Sequence, residues 1–221
     1  GSIASSSSIT VNGSLILNLS GPSNVYANPI TGTGSVTKLG AGPLTLSGAN
    51  TFSGAFTLDA GVLNFNSTSA LGTGGGVITL NVGTLDNTSG SAVVSTSTKP
   101  QQWNTDITFT GSNSLAMGTG TITLGGSGTS RTVNVVANTF GVGALTGFGY
   151  DLVKTGTGTL ELRGANTYTG VTNVNQGTLA LVGGSHKSPV TVASGASLGF
   201  TLGSPTTSTA SLNLTNGTVK I

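Results

Sequence analysis

Cysteine is absent from this 221-residue sequence, and Asp, Glu, Lys and Arg together make up only 5% of it. The first absence excludes a disulfide framework and leaves burial and backbone pairing to hold any fold together. It also suits a chain that crosses an oxidising compartment before folding. The second places the charged content far below the ~25% of ordinary soluble domains. Ser, Thr and Asn take the vacant places, so hydroxyls and amides must keep the surface wet. Seven cations against five anions leave a formal charge of +2, and no two Lys or Arg residues are adjacent. Nucleic-acid binding needs clustered cations to displace counterions, and nothing here supplies them. Nor does any apolar run reach the ~20 residues of a membrane-crossing helix, so membrane insertion by this segment is not expected.

What is present is glycine, 37 of it, and short runs in which Leu, Val, Ile and Phe recur at every second residue. Disordered Gly/Ser/Thr chains lack that periodicity, whereas half-buried strands require it. Strands are expected at Val77–Leu80, Ile107–Thr110, Thr121–Leu124, Thr132–Val136, Val190–Val192 and Ser197–Phe200. No stretch shows a 3.6-residue period.

A repeat organises the pattern. Lys38 to Phe65 and Lys154 to Leu181 align at a constant offset of 116, with 12 of 28 positions identical. Leu44-Thr45-Leu46 and Leu160-Glu161-Leu162 alternate as strands. The tetrads Gly48-Ala49-Asn50-Thr51 and Gly164-Ala165-Asn166-Thr167 then turn the chain, because Gly and Asn tolerate positive φ. Further strands around Phe56–Leu58 and Thr172–Val174, and corners at Gly54, Gly61, Gly170 and Gly177, complete the unit. Three short strands in under thirty residues read as one coil of a solenoid. Stacked coils explain why distant copies keep identical corners, which a sandwich or barrel does not. The expectation is an all-β, right-handed parallel β-helix of roughly seven to ten coils. Gly1-Ser2 reads as a cloning scar. Residues 3–221 read as one β-helix segment, with repeat copies near 30–86 and 145–200, excised from a larger protein.

The segments GTGSVTKLGAGPLTLSGANTFSGAF and TGTGTLELRGANTYTGVTNVNQGTLAL resemble the autotransporter-associated β-strand repeat, also called the passenger-associated transport repeat. Ala70 to Asp86 matches what commonly follows that repeat, and Gln101 to Leu124 is similar to sequence between its copies. Core matches cover about half of the chain. The resemblance implies a surface-displayed or secreted bacterial protein with a β-helical stalk whose repeats assist export. It brings no catalytic residues and no cofactor. On that reading the partners are the parent chain above and below the solenoid. A cell-surface glycan or protein held on the solenoid faces is the alternative, and a carbohydrate-active enzyme the remaining one.

The side chains that carry chemistry are few. Glycoside hydrolysis needs two carboxylates ~5–10 Å apart. Among Asp59, Asp86, Asp106, Asp151 and Glu161, only Asp86 and Asp106 have a spacing compatible with one coil, and turn capping is the plainer reading of both. His186, the single histidine, sits in GGSHKSPV and reads as a solvated loop residue. With no Cys and one His, a zinc site cannot be assembled. Trp103 is expected to fill the coil interior rather than stack on a sugar.

Overall fold

The computed structural model describes residues 8–201 and the backbone of Leu212–Leu214 and Thr218–Lys220; Gly1-Ser2 lies outside them. Every regular element among the described residues is a strand, and the ladders are parallel. The chain winds round three sides. A first face stacks seven strands, from Ser14–Asn18 to Leu145–Thr146. A second stacks ten, from Val25–Tyr26 to Leu212–Leu214. A third stacks seven, from Val93–Val94 to Thr218–Lys220. On the third side of the lower coils run the paired Ile9–Thr10 and Ile30–Thr31, continued by Thr51 N–H to Ile30 C=O and Thr73 N–H to Phe52 C=O. Ten stacked strands on one face mean nine turns, or a rod ~43 Å long at ~4.8 Å per turn.

Coil length varies while register does not. Thr172 lies opposite Val190, 18 residues on, whereas Ile107 lies opposite Val133, 26 residues on. The surplus residues go into corners such as the exposed Ser127–Thr129 segment. The strands stay in phase because period-2 alternation fixes which side chains face inward, and a one-residue slip would turn every one of them outward. Leu44, Leu63, Leu85, Phe109 and Val135 therefore stack directly, coil upon coil, on the second face, and all are fully buried. Trp103 is buried as well, stacked on Phe140, which stacks in turn on Phe109 at 4.8 Å between centroids. The indole N–H donates to Gln101 Oε1.

Outward positions explain how so uncharged a surface stays wet. Thr37, Thr57 and Thr79 fall in one column of the first face, and Thr123 and Thr146 in the same column above. Beside it, Asn104 donates to Asn81 Oδ1 and Asn81 to Asp59 Oδ1, each at 2.7 Å. Amides bonding to the coil below do what ion pairs do elsewhere.

The repeat proves longer than a coil. Leu44 pairs with Leu63 on the second face, and Lys38 with Leu58 on the first, so one copy closes a full turn on itself. The second copy does the same through Leu160 with Leu179 and Lys154 with Val174. The two copies also occupy different faces. Lys38, Leu44 and Asn50 lie on the first, second and third sides; Lys154, Leu160 and Asn166 lie on the second, third and first. Their 116-residue offset thus corresponds to five coils and one additional face.

Candidate functional site

The copies share a buried cation that the sequence pattern disguises. In Ser35–Leu39 the inward side chains are Val36 and Lys38, and in Asp151–Thr155 they are Leu152 and Lys154. Both lysines are fully buried. Lys38 Nζ donates to the carbonyls of Leu39 (2.9 Å), Gly40 (2.7 Å) and, one coil on, Ala60 (3.1 Å). Lys154 Nζ donates to Thr155 (2.7 Å), Gly156 (2.8 Å) and Gln176 (3.1 Å). The acceptors match position for position across the repeat. Burial lowers the pKa of Lys38, and that of Lys154 to about 8. The carbonyl dipoles oppose that shift by favouring the charged form. Each ammonium closes a corner and ties two coils together.

Two further cations do similar work. Lys99 is buried over the Phe52 ring, 4.2 Å from its centroid, and donates to Phe52 and Gly54 C=O, 47 and 45 residues earlier in the chain. Arg131 is buried against the carbonyls of Asn104, Gly125, Ser127 and Ser130. Four of the seven cations are therefore inside, so the net positive charge describes the interior more than the surface. The signal was in the sequence: a Lys in phase with core residues of an alternating run.

The corner asparagines act between coils as well as within turns. Asn50 Oδ1 accepts the Ile30 N–H from the coil below at 2.8 Å, and Nδ2 donates to Ala70 C=O in the coil above at 2.7 Å. Asn166 Oδ1 likewise accepts the Leu145 N–H at 2.9 Å, while Nδ2 turns back to Gly164 C=O. Gly54 and Gly170 lie where a Cβ would come within 2.2 and 2.3 Å of the backbone of the coil below. Gly61 and Gly177 both take positive φ, 75° and 70°. Gly48 and Gly164 differ: only Gly164 has positive φ, whereas a Cβ on Gly48 would strike Asn28 C=O.

The candidates for chemistry are dispersed. Leu85 pairs with Phe109, which sets Asp86 opposite Thr110 and leaves Asp106 four residues back along the strand direction, ~13 Å away. The one-coil spacing considered for this pair does not hold, because that coil is 24 residues long, Thr84 to Thr108, rather than 20. Asp86 is buried and accepts from the Asn87 and Ser112 amides and the Ser112 hydroxyl. Burial pushes its pKa up, but these bonds outweigh burial and lower it. Asp106 accepts the Thr132 N–H. Both carboxylates cap turns. Among the described residues no group of three His, Cys, Asp or Glu could hold a metal.

His186 corrects the sequence reading. It is 3% exposed and forms a parallel bridge with Asn166. The chain passes the first face at this point, so the ring points inward; a single bridge has no alternation by which to reveal itself. His186 Nε2 lies 3.3 Å from Thr172 Oγ1, which also meets Ser188 Oγ (2.8 Å) and the Tyr168 hydroxyl. Ser188 Oγ donates onward to Gly170 C=O. Nδ1 has no partner, and burial lowers the pKa to about 4.

Fold and side chains together define a parallel β-solenoid whose buried polar groups serve the backbone. Comparison with known proteins agrees. The family described as Passenger-associated-transport-repeat matches twice, at residues 36–65 and 152–181, narrower than the half of the chain expected from sequence and coincident with the two lysine-clamped turns. The chain is also 32% identical over 156 residues, 70% of its own length, to the Adhesin BmaC autotransporter of Brucella suis biovar 1 (strain 1330). It spans only 4% of that relative's length. No solved structure matches. The chain belongs to the passenger-repeat proteins of autotransporters, which implies display at the cell surface or outside the cell.

Proposed function

We propose that this segment is a spacer in a larger surface-displayed autotransporter, assisting export and holding adhesive regions away from the membrane, and that it performs no catalysis. One observation carries the reading: each repeat copy closes a full turn on itself and locks it with the same buried lysine, on whichever face it falls. Such a turn supplies its own template and pairs its own backbone, so it can form as soon as about thirty residues have emerged. Neighbouring coils then add by nearest-neighbour pairing, which favours outward movement of the rest of the chain. The relative's designation as an adhesin supports adhesion elsewhere in the longer protein.

Removing one whole coil tests the spacer. Ile122 and Leu145 are register partners, so deleting 122–144 within the longer protein joins equivalent positions. The expected product folds cooperatively, is shorter by ~4.8 Å, and still displays its distal regions. Loss of adhesion after this deletion, with folding and display intact, would overturn the spacer reading.

A further inference from the structure

One place on the rod is built unlike the rest. Along the third face, register aligns Val94, Ala116, Gly141 and Glu161 in a single outward column. The two middle members are the smallest, so the sheet sinks between Val94 and Glu161. The depression encloses about 210 Å³, and a second of about 140 Å³ adjoins it over Gly143 and Ala144. Arg163 borders both. From Ser114 to Thr119 the trough runs about five residues along the strands, ~16 Å, and three ladder steps, ~14 Å, separate Val94 from Glu161.

At its upper edge stands the only ion pair among the described residues. Arg163 Nη2 and Nε both meet Glu161 Oε2, at 2.6 and 3.2 Å. Gly141 lets the guanidinium lie against the sheet: a Cβ there would sit 3.3 Å from Arg163 Cζ. Glu161 Oε1 and Arg163 Nη1 have no protein partner among the described residues. An acceptor and a donor are thus presented side by side over a floor without bulky side chains, with the Ser114 and Thr139 hydroxyls at the rim.

We propose that this trough binds a neutral oligosaccharide chain lying along the strands. A sugar diol donates to a carboxylate oxygen and accepts from a guanidinium, which matches the free atoms of the pair, and charge-assisted bonds are the strong ones. Other ligand classes fit less well. The strands flooring the trough are already paired on both sides, so a peptide finds no backbone partners. The pair is neutral overall, which gives nucleic acid or anionic lipid no hold, and Val94 is the single large apolar side chain exposed there. This goes beyond the spacer role, since a spacer needs no ligand.

The full chain is titrated with neutral tri- to hexasaccharides, with uronate-bearing counterparts and with unrelated peptides. Neutral chains should bind, and Glu161→Gln should weaken binding about tenfold or more by replacing a charged acceptor. Ala116→Leu and Gly141→Val, which fill the floor from adjacent coils, should abolish binding in protein that melts as a folded rod. Thr57→Ala, on another face, should bind as the parent does. The proposal fails if no neutral oligosaccharide binds at millimolar concentration, if only uronates or peptides bind, or if binding survives both floor-filling variants. None of these outcomes depends on the coil deletion that tests the spacer.

Discussion

The two repeat copies share their corners and their lysine but not their interiors. In the first copy Phe52 and Phe56 are fully buried, and Lys99 lies over the Phe52 ring. In the second, the aligned positions are Tyr168 and Thr172, and a hydroxyl network with Ser188 and His186 occupies the space. The backbone is nevertheless closed in the same way, one face further round. What the repeat specifies is therefore a turn and its lock. The filling is free to be apolar, or polar if its hydrogen bonds are met.

The largest expected effect tests whether the rotation matters. Leu44 and Leu160 are fully buried on different faces. Replacing either with Asp buries an unpartnered carboxylate and should cost several kcal/mol, ~4 or more. Urea denaturation should find the two costs alike. A large disparity would mean that the faces are not equivalent environments.

Next comes the lock. Lys38→Met and Lys154→Met each strip three carbonyls of their donor while removing a buried charge, and each should cost about 2–4 kcal/mol. Tolerance of one substitution but not the other, in the same melting experiment, would break the parallel between the copies.

Acid should separate them instead. His186 is held near pKa 4 in the folded chain against an ordinary value of 6.5, so the unfolded chain binds the extra proton between those values. Stability is then fully present above about pH 6.5 and falls as pH drops toward 4, by ~3 kcal/mol. The facing groups are Tyr168, Thr172, Ser188 and Asn166, with no carboxylate to welcome an imidazolium. Hydrogen exchange at pH 4.5 against pH 7 should therefore rise around residues 166–190 and change less around 50–72. Equal acceleration in both regions would remove His186 from the account.

Much of this was legible in advance because alternation and corners are local. The strands at Ile107–Phe109, Ile122–Leu124 and Val190–Val192 were expected within a residue of where they lie. The coil boundaries were not, because the return of the chain onto itself, Leu44 beneath Leu63, depends on the three-sided cross-section rather than on any run of residues. The lysines escaped for a different reason. A cation is ordinarily read as surface, and only its phase with Val36 or Leu152 shows otherwise. His186 gave no such phase, standing at an isolated bridge between glycines and a proline.

The smallest effect bears on how the second interior is held. Tyr168→Phe makes that position like Phe52, and it removes the hydroxyl while keeping the ring against His186. Thr172 Oγ1 keeps Ser188 and His186 as partners, so little is left unpaired, and the cost should be about 1 kcal/mol. Thr172→Val should cost more, about 1–3 kcal/mol, because it strands the Tyr168 hydroxyl and the His186 Nε2 together. Their double variant should cost less than the sum, since each single change breaks the same bond. A thermal-melt cycle on the four proteins measures this coupling. Strict additivity would show that the Tyr168–Thr172 bond contributes nothing and that shape alone fills the second copy, as it does the first.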